Sequence, residues 1–195
     1  MRQVSCRLAR DQRGATIIEF AIVAPVMMTL LMGLGDLLYQ AYLQSILDGA
    51  MQKAGRDSAL ELNVTNGDAL DDKVETMVKN IAKNAEFTSQ RRSYSSFALV
   101  KPENFTDGNG NGTRDAGECY DDVNGNKQWD ADPGRASQGG ANDVTKYTMS
   151  VTYPRIFPVA RMFGWSAKAQ ISATTLLKNQ PYKTQTIATI KQVCT

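Results

Sequence analysis

Arg13-Gly14-Ala15-Thr16-Ile17-Ile18-Glu19-Phe20 sets one carboxylate inside an otherwise apolar run. Arginines precede it, and the sixteen residues from Phe20 to Gly35 carry no formal charge. An unpaired carboxylate in an apolar medium is costly, so it finds an opposite charge or becomes neutral. Glu19 is the residue around which a function has to be sought.

The run is long enough to cross a bilayer. Ala15 to Gly35 is twenty-one residues, Glu19 included. Roughly 20 residues rising 1.5 Å each span a hydrocarbon core as a helix. The arginine flank precedes the run and Asp36 closes it. Basic flanks mark the cytoplasmic side, which keeps the N terminus inside and puts the remainder outside. A secretory signal peptide also begins basic and turns apolar. Against that alternative, no small-x-small cleavage site ends the run, and helical periodicity continues past Asp36.

At 195 residues, 42% of them hydrophobic and 22% charged, the chain has room for one soluble domain and one membrane helix. Its net charge of +2 is uneven, with +3 in residues 1–14 and −1 in the rest. The basic character belongs to a tail and not to a nucleic-acid surface, so no nucleic-acid partner is expected. There is no His. That removes Ser-His-Asp and Cys-His catalysis and every His-ligated metal site. No nucleophile, base and orienting group stand together, and the expectation is a non-enzyme.

Gly14-Ala15-Thr16-Ile17-Ile18-Glu19-Phe20 resembles the processing site of type IV pilin-like proteins. More narrowly, Arg13 to Pro25 resembles the opening of the TadE-like and TadG-like pseudopilins of the tight-adherence (Flp) pilus machinery. The resemblance implies that a membrane prepilin peptidase cuts between Gly14 and Ala15. Glu19 then becomes the fifth residue of the mature chain, and Phe20 the aromatic sixth. The physical logic stands separately. Gly14 offers a protease groove no side chain and loosens the helix start. Cleavage creates a new α-ammonium about one turn from Glu19. A neighbouring subunit's N terminus is a natural partner for that carboxylate, which would set subunit register. The blander alternative leaves Glu19 in the headgroup layer with no specific task.

Pro25 removes one backbone hydrogen bond and should kink or loosen the helix. Gly33 and Gly35 would allow close helix packing, but Gly14 is too far off for a dimer motif and isolated glycines are common in membrane helices. Beyond Asp36, Leu43, Ile46, Leu47, Ala50, Met51 and Ala54 recur at helical spacing. One helix is therefore predicted from about Thr16 to about Leu60. An apolar half followed by an amphipathic half suits a pilin-like lollipop. The expected organisation is a cytoplasmic leader at 1–14, a transmembrane helix at 15–36 and its amphipathic continuation at 37–60. An extracytoplasmic α+β head follows at 61–195, with an inserted segment at 104–143.

Within the head, a turn at Asn63 to Asp68 precedes a second helix, expected to start near Asp71-Asp72 and end near Phe87. Val74, Met77, Val78, Ile81, Ala82 and Ala85 give it one apolar face. Strands are expected at Ser93 to Val100, Lys146 to Tyr153 and Ala167 to Leu177, making a small antiparallel sheet. Pro154 to Trp165 is either a surface loop with a greasy tip or a connection through the core, and the core is favoured. Thr174 to Tyr182, with its Asn179-Gln180-Pro181-Tyr182 end, adds loosely to the TadE-like resemblance.

Residues Asp107 to Glu118 match a twelve-residue calcium loop. Asp107, Asn109, Asn111 and Asp115 supply oxygen donors at positions one, three, five and nine. Thr113 offers a backbone carbonyl at seven, Gly112 makes the turn at six, and Glu118 closes as a bidentate ligand. The flanking helices of an EF-hand are missing, so a structural Ca²⁺ clip of modest affinity is expected. The alternative is a polar insertion rich in Asn-Gly turns. A second run repeats the spacing at Asp122, Asn124, Asn126 and Asp130. It has Lys127 where glycine is wanted and Pro133 at twelve. It is either a degenerate second loop or a donor of Asp130 or Asp132 to the first. Cys6 lies in the leader. Cys119 and Cys194 fall outside the cytoplasm, where disulfides persist, and are expected to pair; two free thiols are the alternative.

The function expected is that of a minor pilin or pseudopilin. It would sit in the bacterial inner membrane with its head in the periplasm and serve pilus assembly and secretion. Its partners would be the prepilin peptidase, other pilin or pseudopilin subunits and the assembly platform. The alternatives are an unprocessed, membrane-anchored calcium-binding adhesion or sensing module, and a secreted protein whose first 35 or so residues are a signal.

Overall fold

The computed structural model describes residues 13–60, 67–179 and 189–194. Residues 1–12 with Cys6, Asn63 to Asn66 of the expected turn and the Gln180-Pro181-Tyr182 segment lie outside the described residues, while Gly67 and Asp68 of that expected turn already belong to a helix. At Gly14 and Ala15 only the backbone is described.

The architecture is α+β. Helix α1 runs from Arg13 to Leu60, and α2 from Gly67 to Lys79. Strand β1 (Glu86–Tyr94), a 3-10 turn (Phe97–Leu99), β2 (Cys119–Asp122) and β3 (Val144–Pro154) follow. The chain continues through a short helix α3 (Val159–Met162), β4 (Lys168–Lys178) and β5 (Lys191–Cys194). The strands form an open sheet in the order β1-β3-β4 and a separate β2-β5 pair. These residues divide into two compact units.

The first unit joins α1 up to Tyr42 with Pro154–Ala169. Ile17, Ile18, Phe20, Leu30, Leu34 and Leu37 are all exposed. The stretch of α1 from Thr16 to Asp57 is long and apolar enough to cross a membrane, and its apolar window is not buried in the protein. It continues unbroken through Pro25, where the Thr29 hydroxyl donates back to the Pro25 carbonyl (2.7 Å). Gly35 serves a packing role within the chain: a Cβ there would come to 2.9 Å from the Phe157 ring. Gly33 has no such neighbour. Asp36 is buried and ion-paired with Arg155. The favoured core reading of Pro154 to Trp165 is corrected, because Ile156, Met162, Phe163 and Trp165 are exposed. Two prolines and a four-residue helix make this stretch too short to lay a continuous apolar face on a core.

The second unit comprises Leu43–Tyr153 and the residues from Gln170 onward. Its part of α1 buries Leu43, Leu47, Ala50, Met51 and Ala54, the face that the spacing predicts. Burying each of the leucines and Met51 is worth about 1.5–3 kcal/mol. Gln44 reaches across to donate to the Ser172 carbonyl at 3.0 Å. Tyr147, Met149, Val151 and Tyr153 fill the inner face of β3, and Ile171, Ala173 and Leu177 that of β4. Alternation along the sequence predicts the four β3 residues and, in β4, Ile171 and Ala173.

Two boundaries move. Helix α2 begins at Gly67, with Asp68 in its first turn, and ends at Lys79 in its last; both charges suit the helix dipole. Phe87 belongs to β1, which pairs antiparallel with β3 from Glu86↔Thr152 to Tyr94↔Val144. The expected strand at Ser93 to Val100 therefore lies earlier, and Phe97 to Leu99 is a turn. The sequence of β1 conceals it because its inward residues include Ser89 and Arg91. These bind Asp71 of α2, at 2.8 and 2.5 Å, instead of forming apolar contacts, and Tyr147 also donates to Asp71.

Candidate functional site

Two regions of the chain carry the chemistry that the sequence singles out. One is the inserted segment. Its backbone is organised around β2. Thr106 N–H donates to the Cys119 carbonyl (2.8 Å), and Asp121 N–H to that of Asn104 (2.9 Å), with Phe105 bridged to Tyr120. Asp107 to Glu118 is thus the loop of a hairpin. On its other edge β2 pairs with β5, in a register that sets Cys119 opposite Cys194. Those cysteines form a disulfide.

In the first loop, Asp107 accepts the amides of Gly110 and Gly112 at 2.6 and 2.8 Å. The hydrogen bond from the Gly112 amide, joined by those from Gly110, Asn111 and Asn109, outweighs the opposing desolvation and holds its carboxyl below the usual carboxylate range. The Asn109 and Asn111 side-chain amides both donate to Asp115 Oδ2 at 2.7 Å. Glu118 closes the loop, with Oε1 accepting from Gly108 N–H (2.8 Å) and Oε2 from Asp115 N–H (2.9 Å). Gly112 has φ +76, a left-handed conformation that L side chains rarely adopt.

The second run adopts the same hydrogen-bond pattern. Asp122 accepts the amides of Gly125 (2.7 Å) and Lys127 (3.0 Å). Asn124 and Asn126 both donate to Asp130 Oδ2 at 2.7 Å. Lys127 takes φ 60 at the position held by Gly112 in the first loop. Pro133 takes no part in closure. Glu103 replaces it: Oε1 accepts from Val123 N–H (2.8 Å) and Oε2 from Asp130 N–H (3.0 Å). Glu103 is only 3% exposed, and its backbone is fixed by Asp130 and by the Trp129 indole.

A shift of fifteen residues superposes Glu103 on Glu118, Phe105 on Tyr120, Asp107 on Asp122 and Asp115 on Asp130. The glutamate four residues before each loop closes the other loop. Sequence reading missed Glu103 because the twelve-residue template looks only forward, whereas the repeat offset points directly to it. Asp130 belongs to the second loop. Asp132 joins neither, and accepts hydrogen bonds from Tyr94 and Lys146 instead. Among the described residues, no group of three or more His, Cys, Asp or Glu is gathered to hold a metal ion. The side-chain donors in each loop are largely asparagine, and their amides occupy Asp115 and Asp130.

The other region is the start of α1. Glu19 lies exposed on the helix among exposed Ile17, Ile18 and Phe20, with no core around it. Gly14 and Ala15 lie in the same helix, which begins at Arg13. A carboxylate held on an otherwise apolar, unburied helical surface is available to a partner that brings an opposite charge. Residues 14–56 match the family model described as TadE-like protein. The chain carries a TadE-like domain.

That match supports assignment to the TadE-like and TadG-like pseudopilins of the Flp pilus. It begins at the glycine of the proposed cleavage site, takes in Glu19 and ends in the amphipathic half of α1. The twin loops lie wholly outside the TadE-like match. No curated protein and no solved structure matches the chain.

Proposed function

We propose that the chain is a minor pilin or pseudopilin of a tight-adherence pilus, cut by a prepilin peptidase between Gly14 and Ala15. The observation that carries this reading is Glu19, exposed in an apolar helix five residues after Gly14, at the start of the TadE-like match. Cleavage would release an α-ammonium within reach of a neighbouring subunit's Glu19. The pair would neutralise both charges in hydrocarbon and fix subunit register. The N terminus would lie in the cytoplasm, as the arginine flank requires, and the head in the periplasm.

The test is the mature N terminus of the full chain expressed with and without the prepilin peptidase. A peptidase-dependent terminus at Ala15 supports the reading. An intact Met1 in the membrane fraction would select the unprocessed anchor instead, and a terminus beyond residue 30 a secreted protein. Glu19→Ala should insert normally and fail in assembly; normal piliation would remove the role given to Glu19.

For the twin loops we propose a structural Ca²⁺ clip. Asp107, Asn109, Asn111, Thr113, Asp115 and Glu118 would serve the first site. What favours the reading is that two runs of this composition adopt one turn pattern, each closed by a glutamate. Binding requires Asn109 and Asn111 to turn their amide oxygens inward, which releases Asp115 for the ion. Calorimetry on the full chain in detergent, with the disulfide intact, should show binding at up to about millimolar calcium, as in extracellular modules. Absence of heat at that concentration would leave the loops as hydrogen-bonded turns alone.

A further inference from the structure

The stretch from Ile156 to Trp165 holds its large apolar side chains away from any core. Met162, Phe163 and Trp165 are 73%, 62% and 69% exposed, and the rings of Phe163 and Trp165 stand 6.2 Å apart. Val159, Phe163 and Trp165 line one wall of a shallow apolar depression whose other wall includes Leu30, Leu34 and Leu37 of α1. The position of that wall along the helix identifies what covers it. Leu30 lies five residues before Gly35, about 7.5 Å of helix rise inside the end of the apolar run. The depression extends along the helix from Thr29 to Leu37, across the end of the apolar run, so the side chains on its other wall stand at the border of the bilayer.

The chemistry fits the border of a leaflet. Indole and phenyl rings concentrate where acyl chains meet headgroups. Arg161 is exposed beside them, on the same short helix, and suits lipid phosphates. The charges that would be costly at this depth are already paired, because Asp36 and Arg155 form a largely buried ion pair at the rim of the depression. Gly35, with Phe157 against it, closes the same junction.

We propose that Met162, Phe163 and Trp165 form a second membrane contact, entering the leaflet at the Gly35 end of the span. The proposal rests on reading α1 as membrane-spanning. The contact fixes the Pro154 to Ala169 segment to the lipid surface and limits rotation of the helix about its own axis.

The test uses the full chain in lipid nanodiscs, one copy per disc, with lipids brominated at shallow acyl positions. Tryptophan emission should lose most of its Trp165 component, seen as quenching in the native chain that disappears in Trp165→Phe. Quenching unchanged by that substitution would assign the effect to Trp129 and overturn the proposal. An unquenched chain that co-purifies with its disc would also overturn it while leaving the span intact. A chain that fails to enter discs would remove both readings. Blue-shifted Trp165 emission confined to discs holding several copies would show that a second copy covers the surface, and would overturn the lipid assignment.

Discussion

Glu103 closes the loop at Asp122 in the way that Glu118 closes the loop at Asp107. Each carboxylate accepts the amide of its loop's second residue and that of its ninth. The two glutamates differ in burial: Glu103 is buried, whereas Glu118 is partly exposed. Replacing Glu103 by Ala leaves the amides of Val123 and Asp130 without their acceptor in a water-poor site, at about 1–3 kcal/mol. Glu118→Ala should cost less, since water can reach its partners. Thermal unfolding of the two variants and amide exchange at Val123 and Asp130 would measure the difference.

The junction between Asp36 and Arg155 should be sensitive to loss of either partner. Breaking a buried pair by removing one ion costs about 3–5 kcal/mol, because the remaining charge is left uncompensated. Partial exposure of Arg155 puts this pair toward the lower figure. Arg155→Ala should lower the unfolding temperature in detergent, while Asp36→Leu combined with Arg155→Met should recover most of the loss.

Asp132 makes stability depend on pH. Burial opposes its ionisation, but hydrogen bonds from Tyr94, Lys146 and the Gly134 amide prevail and hold its carboxyl below the ordinary value. A folded value below the unfolded one means that ionised Asp132 stabilises above the unfolded value of about 3.9. That contribution is lost as the pH falls from there through the folded value. Asp132→Asn should be less stable than the native chain at pH 7, and the two should converge in acid. Thermal unfolding across a pH series would show the convergence; a constant gap would contradict it.

The Cys119–Cys194 bridge spans a sequence separation of 75. In the chain-entropy account a loop of that size contributes about 4 kcal/mol. Cys194→Ser should therefore shift the denaturant midpoint of the second unit downward without altering membrane insertion. Adding reductant to the native chain should reproduce the shift, and failure to do so would argue for strain or residual structure in the unfolded chain.

How much was legible in the sequence depended on where the pattern carried physical information. Periodicity found α1 and the inner faces of β3 and β4, because apolar residues there answer to one buried side. It misplaced β1, whose inward Ser89 and Arg91 bind Asp71 and read as polar loop. The short strands β2 and β5 have too few residues to show a period, yet their register follows from the disulfide. The greasy stretch around Phe163 reads as core because exposed aromatics are unusual in water, and nothing in its composition tells that its side chains stay exposed. Glu103 was invisible to a template read forward from Asp107, since the residue that completes the second loop precedes the first.

The disulfide also imposes an order on biogenesis. Cys194 lies 75 residues after Cys119, beyond β3 and β4, and the chain is synthesised N-terminal part first. With the head exported to the periplasm, as proposed, the twin loops could gather their hydrogen bonds as soon as they emerge, but β2 could not be locked until the sheet strands had followed it into that oxidising compartment. A thiol-reactive probe applied during export would therefore read the progress of translocation. Cys119 stays labelable while the head is incomplete and becomes silent once β5 has arrived.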